Sequence, residues 1–222
     1  MTLWRDAGYK LFLSHRAEHK REVAALAEEL RPFGVSAFVA HEDIRPTDKW
    51  LDAIDSALMS MDALLAILTK DFHDSEWTDQ EIGYALGRGV PVISVALECQ
   101  PKGFVGRFQS LRCSWKTAAL EITKVLFNQP GFVRHYCDAL KACDSFDAGN
   151  ALGAPLAGLD RLALEDAERL IEAFNENSEI RGAFAFNGKK PEIFGPGLVN
   201  ILRHFHPNQF VANDRKILKI IR

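Results

Sequence analysis

DSEWTDQEIGYALGRGVPVISVA, residues Asp74–Ala96, decides the fold. Ile82, Ala85, Leu86 and Gly89 recur at helical spacing and give one apolar face. Thr78 is placed to cap that helix, because a hydroxyl accepts from the free amides of a first turn. Gly87 and Gly89 stop it, and Pro91 forbids its return. Val92, Ile93, Val95 and Ala96 then form a short apolar run, the pattern of a strand covered on both faces. Trp77 and Glu81 lie four apart, on one stripe beside the buried face. A carboxylate beside an indole at the mouth of a sheet is a candidate site. Thr78-Asp79-Gln80-Glu81 also fits a capping box, in which Glu81 only reaches back to the cap amide.

Working toward the N-terminus, Ala63–Thr69 is apolar throughout and reads as a central strand. Trp50, Ile54, Ala57, Leu58 and Met61 make a helix face, and HEDIRPTDK before it is a long polar loop. Val35–Ala40 is a strand. Lys20–Leu30 is an amphipathic helix, with Val23, Leu26, Ala27 and Leu30 on one side. Tyr9–Ser14 is the first strand and ends in a polar turn. Toward the C-terminus, PKGFVGRFQSL is an irregular loop. Arg112–Trp115 reads as a short edge strand and Lys116–Phe127 as a closing helix. This alternation predicts an α/β, doubly wound parallel sheet. Ligands on such sheets sit beyond the carboxyl ends of the strands. Three features meet at that edge: the Ser14-His15-Arg16 turn, the His41–Lys49 loop and the start of the Trp77/Glu81 helix.

From Asn128 onward no strand alternation is visible. Phe132, Tyr136, Ala139, Leu140 and Cys143 predict one helix. Ala167, Leu170, Ile171 and Phe174 predict a second, and Leu198, Ile201, Leu202 and Phe205 a third. Asp214–Arg222 reads as a last amphipathic helical piece, with Ile217, Ile220 and Ile221 among basic residues. GNALGAPLAG and NGKKPEIFGPG are read as loops. The expected domains are therefore 1–127, the α/β part, and 128–222, a helical domain or appendage.

Composition bounds the function. The 222 residues are 47% hydrophobic and 26% charged, enough for a real core. A net charge of −3 argues against a dominant nucleic-acid surface. No apolar run reaches the roughly 20 residues that span a bilayer, and the N-terminus lacks a secretory h-region. A cytoplasmic protein with no membrane association is expected. The four cysteines form no CxxC pair and are expected reduced. His204 and His206 flank Phe205 without a supporting ligand cluster, so no metal site is expected. No GxGxxG or P-loop appears, which removes a Rossmann dehydrogenase and a P-loop NTPase. A response-regulator receiver is also removed, because the strand ends read Ser14-His15 and Thr69-Lys70 rather than acidic.

Four ordered blocks carry a resemblance: KLFLSH, FVAHEDIRPTDKW, SEWTDQEIGYALGRGVPVI and the looser PKGFVGRFQSL. Together they resemble the Toll/interleukin-1 receptor (TIR) domain in its prokaryotic form, over about the first half to three fifths of the chain. The resemblance implies a flavodoxin-like parallel five-stranded sheet. It also implies cleavage of the nicotinamide–ribose bond of NAD+, with NAD+ as substrate and no separate cofactor. The family's essential glutamate follows a tryptophan by four positions, the pattern of Trp77 and Glu81. Glu81 is then the expected catalytic residue, with Trp77 packed on the nicotinamide or ribose. Phe12, Ser14 and Arg16 fall where family members contact substrate, and Arg16 can offer its fork to the pyrophosphate. His41 and Asp43 are further expected ribose or adenine contacts. On its own evidence Phe12 reads as core, Ser14 as a turn residue, and His15 and His19 as surface.

The HEDI…W and SxWTDQE…G blocks also resemble the sensor-synthases of Thoeris-type antiphage defence. That resemblance implies a cyclic or conjugated ADP-ribose signal, a separate effector that responds to it, a phage trigger, and self-association through the TIR domain. Two other functions stay open from the sequence. One is a non-enzymatic TIR adaptor, which has no need of the Trp77/Glu81 pair. The other is a nucleoside deoxyribosyltransferase-like enzyme, which shares the sheet and a glutamate nucleophile.

Overall fold

A computed structural model describes residues 3–39, 50–213 and 216–219. The chain divides into two compact units, Met1–Ile122 and Thr123–Arg222. The first is built on strands β1 (Tyr9–Ser14), β2 (Val35–Val39), β3 (Ala63–Leu68), β4 (Val92–Ala96) and β5 (Leu111–Arg112). They form one parallel sheet in the order β2-β1-β3-β4-β5. Helices α1 (Lys20–Leu30), α2 (Trp50–Ser60), α3 (Glu76–Gly87) and α4 (Trp115–Leu126) connect and flank the strands. This is the doubly wound, flavodoxin-like arrangement, whose strand order reverses between β1 and β3.

The sheet is buried because its strands carry apolar residues on both faces. Phe12, Leu64, Ala66 and Leu68 turn one way, into a core with Ile54, Ala57 and Leu58 of α2 and Ile82 and Ala85 of α3. The alternate residues Leu11, Leu13, Leu65 and Ile67 are also fully buried. A strand covered on both sides needs this continuous apolar run. Register pairs Phe12 with Phe38 and Ser14 with Ala66. Strand side chains alternate, so Ser14 shares the face of Phe12 and is directed at α3.

Two boundaries differ from the sequence reading. The edge strand is Leu111–Arg112, one residue earlier than expected, and Trp115 opens α4. Ser114 precedes that helix and its carbonyl accepts from the Thr117 amide at 3.0 Å. Helix α3 begins at Glu76, with Ser75 as its cap, accepting from the Trp77 amide. Thr78 is therefore inside the helix. Its buried hydroxyl donates to the Phe72 carbonyl at 3.0 Å and does not cap.

The second unit is mainly helical: α5 (Phe132–Lys141), α6 (Phe146–Gly153), α7 (Leu164–Glu176), α8 (Ser178–Gly182), α9 (Phe184–Asn187), α10 (Pro191–Phe194) and α11 (Leu198–Phe205). GNALGAPLAG is not a loop. Its first half lies in α6, capped by Ser145, and a 3-10 turn follows over Ala154–Gly158. Its glycines pack against neighbours instead of breaking the helix. A Cβ at Gly153 would sit 2.4 Å from the Ala185 Cβ. NGKKPEIFGPG likewise holds the single turn α10. Within the segment expected to be helical, Ile217–Lys219 is a strand: β6 (Phe210–Ala212) pairs antiparallel with β7 (Ile217–Lys219). Asn175 secures β7 with its amide, donating to the Ile217 carbonyl at 2.8 Å and accepting from its N–H at 3.0 Å. Among the described residues, no helix is long and apolar enough to cross a membrane.

Candidate active site

Glu81 is a carboxylate with 7% of its surface exposed. Its position follows from the spacing of α3. Ile82 and Ala85 insert into the core, and Glu81, on the edge of that face, meets the end of β1. There the Ser14 hydroxyl donates to Glu81 Oε2 at 2.6 Å. Ala66 stands opposite Ser14 on β3, so the small side chain leaves room for the helix. This geometry removes the capping-box alternative. Thr78 does not cap, and the Glu81 carboxyl is engaged by β1 instead of the α3 amides.

Burial pushes the Glu81 carboxyl up to about 7, and the Ser14 hydrogen bond draws it partly back. The order of the two effects follows from their sizes. Taking a carboxylate out of water disfavours its charged form by more than one neutral donor restores. Such a group changes charge near neutral pH, a property concentrated in functional sites.

Trp77 lies one turn before Glu81 and is 46% exposed, so part of its indole is an apolar surface in contact with solvent. Arg16 is half-buried at the end of β1, and its guanidinium is held by Glu18 through a two-point contact of 3.1 and 2.9 Å. Phe12 is fully buried and stacks on Phe38, with ring centroids 5.4 Å apart. The structure thus places Phe12 in the core rather than on an open surface. His15 differs from the surface position read from sequence. It is buried, with Nδ1 2.8 Å from the Leu13 carbonyl oxygen, because the chain is still leaving the sheet there. His41 and Asp43 lie outside the described residues.

The structure brings Ser14 and Glu81 into contact and leaves Trp77 exposed on the helix turn before it. The direct Ser14–Glu81 bond was not read from sequence, where Ser14 read as a turn residue; the alternation of side chains along β1 is the signal that could have found it. Glu18 as the holder of Arg16 had no sequence signal beyond its nearness. A cavity of about 250 Å³ lies elsewhere, between α1 and the outer strand β2, lined by Ala27, Glu28, Val35 and Ala37 among others. Neither Glu81 nor Ser14 lines that cavity. Among the described residues no group of three or more His, Cys, Asp or Glu side chains converges on a metal-sized site.

Comparison with known proteins gives three findings. A model of the TIR domain family matches residues 11–123. The 2' cyclic ADP-D-ribose synthase AbTIR of Acinetobacter baumannii is similar, with 32% identity over 81 residues. That match covers 36% of this chain and 30% of the relative, so the chain spans less than a third of the relative's length. The crystal structure of the TIR domain of the Toll-related receptor TRR-2 from Hydra magnipapillata is similar at 17% identity and a TM-score of 0.45, covering 54% of this chain and 97% of that one.

Proposed function

Since the chain belongs to the TIR domain family, we propose that it is an enzyme that cleaves the nicotinamide–ribose bond of NAD+. One observation carries this reading: a buried carboxyl, Glu81, anchored by Ser14 at the carboxyl edge of the sheet beside the exposed Trp77. Similarity to a cyclic ADP-ribose synthase supports it.

The chemistry asks for one acidic residue. Departure of nicotinamide builds oxocarbenium character on the ribose, as in glycoside cleavage. Nicotinamide is bound as a cation and leaves neutral, so no general acid is needed. Ionised Glu81 stabilises the developing positive charge and accepts from a ribose hydroxyl. Its low exposure strengthens that interaction, since charges attract more in a low-dielectric site. Trp77 covers the nicotinamide or ribose and keeps water away. Arg16 releases Glu18 and offers its fork to the pyrophosphate.

After nicotinamide leaves, water attack gives ADP-ribose, and attack by an adenine nitrogen or ribose hydroxyl of the same molecule gives a cyclic isomer. A site that excludes water favours the cyclic product. We read the product as an ADP-ribose-derived signal in bacterial antiphage defence, made by a cytoplasmic homo-oligomer for a separate effector after a phage trigger. Residues 1–127 are the proposed catalytic domain and 128–222 its helical appendage.

The test is direct. Purified protein is incubated with NAD+, alone and with lysate of phage-infected cells, and nicotinamide and nucleotide products are separated by chromatography and identified by mass. Nicotinamide release that disappears in Glu81→Gln supports the reading. Equal release by Glu81→Gln removes Glu81 as catalyst. Base exchange on nucleosides without NAD+ turnover points to the deoxyribosyltransferase-like alternative.

A further inference from the structure

We infer that Ser14 is a positioning residue: its hydroxyl ties one oxygen of Glu81 to the end of β1 and leaves the other for the substrate. The inference rests on the reading of Glu81 as catalyst. Its own warrant is geometric. The contact is 2.6 Å, and both side chains are buried, at 1% and 7% exposure. Ser14 is the last residue of an interior strand and pairs with Ala66 of β3, so the sheet fixes its backbone. Glu81 has three rotatable side-chain bonds, and the core positions of Ile82 and Ala85 hold the helix that carries it. A single donor on Oε2 removes that freedom and defines where Oε1 points. Preorganisation of this kind makes a carboxylate effective, because no reorganisation remains for the moment of reaction.

The bond has an electrostatic consequence as well. A donor to a carboxylate favours its charged form, the form that faces the ribose cation. Burial opposes this and Ser14 partly restores it. Among the described residues, β1 faces Glu81 with Ser14 and β3 presents Ala66 opposite it. Its own helix sets Thr78 and Ala85 on the same side, and none of these titrates. His15 follows Ser14 with its Nδ1 at the Leu13 carbonyl oxygen.

Ser14→Ala and Ser14→Thr test this with two readouts. The first is the titration of the Glu81 side-chain carbon by NMR in protein labelled at glutamate, its signal assigned by its loss in Glu81→Gln. This works on resting protein. Ser14→Ala is expected to raise the midpoint by about one to two units, and Ser14→Thr, which keeps the donor, to leave it in place. The second is turnover across pH. Ser14→Ala is expected to lower kcat by about ten- to a hundredfold, with KM within about twofold, and to move the acid limb upward. An unchanged midpoint in Ser14→Ala overturns the inference. So does a loss confined to KM, which makes Ser14 a direct substrate contact. Failure of the catalytic reading looks different: Glu81→Gln then retains turnover whatever Ser14 does.

Discussion

Glu81 is subject to two demands that pull in opposite directions. Chemistry asks for its charge, and burial penalises that charge. Its folded-state value of about 7 lies above the ordinary 4.5. Below about 4.5 the side chain is neutral in both folded and unfolded chains and costs nothing. As pH rises from 4.5 to 7 the unfolded chain loses its proton first, so stability falls over that window. At 1.36 kcal/mol per unit the loss approaches about 3 kcal/mol above pH 7. Glu81→Gln is therefore expected to be more stable than wild type at pH 8, by up to about 3 kcal/mol. The two should converge near pH 4, as read by urea unfolding at both pH values. A Glu81→Gln protein less stable at pH 8 would contradict the burial of charge described above. The same substitution should cost at least about a hundredfold in nicotinamide release. Wild-type release should itself fall as pH drops through 7, because the protonated acid cannot stabilise a cation. At this scale the sequence was legible in part. Spacing named Trp77 and Glu81 as a pair. It left the capping box equally open, because the choice depends on a contact between residues 14 and 81, which no local pattern contains.

Helix α3 shows the same limit one level up. Ile82 and Ala85 fixed its buried face correctly from periodicity alone. Its start was misplaced, because SEWT offers two hydroxyls three residues apart and local rules favour either. Tertiary burial chose between them. Thr78 turned its hydroxyl to the Phe72 carbonyl, and Ser75 took the cap. Ser75→Ala should then cost about 1 kcal/mol by thermal or urea unfolding. No loss there would return the cap to Thr78. In α6 the reading failed for a related reason. Glycine reads locally as a breaker, although here it serves close packing. Ordinarily a Gly→Ala change inside a helix gains up to about 1 kcal/mol. At Gly153 the new methyl would lie 2.4 Å from the Ala185 Cβ and 3.0 Å from the Phe186 ring. Ala185 has no side-chain freedom with which to yield, so overpacking outweighs propensity. Gly153→Ala is expected to lose about 1–3 kcal/mol, visible as a lower melting temperature.

Over the whole molecule, legibility follows the range of the interactions that fix each unit. The first unit is a succession of strand–helix repeats whose connection rules are local, so parallel pairing could be argued from pattern, while the flavodoxin-like arrangement came from the family resemblance. The second unit is held by side chains that satisfy distant backbone groups, and pattern cannot reveal these. The closing segment shows it. Ile217 with its neighbours mimics a helical stripe, yet its backbone is claimed by Asn175 and by pairing with Phe210–Ala212. Asn177 is the strongest such tie. Its side-chain nitrogen donates toward the carbonyls of Leu140, Lys141 and Cys143, at 2.9, 3.1 and 2.8 Å. Its oxygen accepts from the amides of Glu179 and Ile180, capping α8. One buried amide thus joins the end of α5 to the start of α8. Removing it leaves several polar groups unsatisfied, each costing about 1 kcal/mol or more, so Asn177→Ala should lose about 3 kcal/mol. Asn177→Asp discriminates further. It keeps the acceptor for α8 but sets a carboxylate oxygen against three carbonyls, with no donor between them. Cap loss alone would make the aspartate variant the milder of the two. Carbonyl repulsion makes it the more damaging, and we expect that order in urea unfolding at pH 7, with the gap narrowing at pH 4 as the acid protonates and regains a donor.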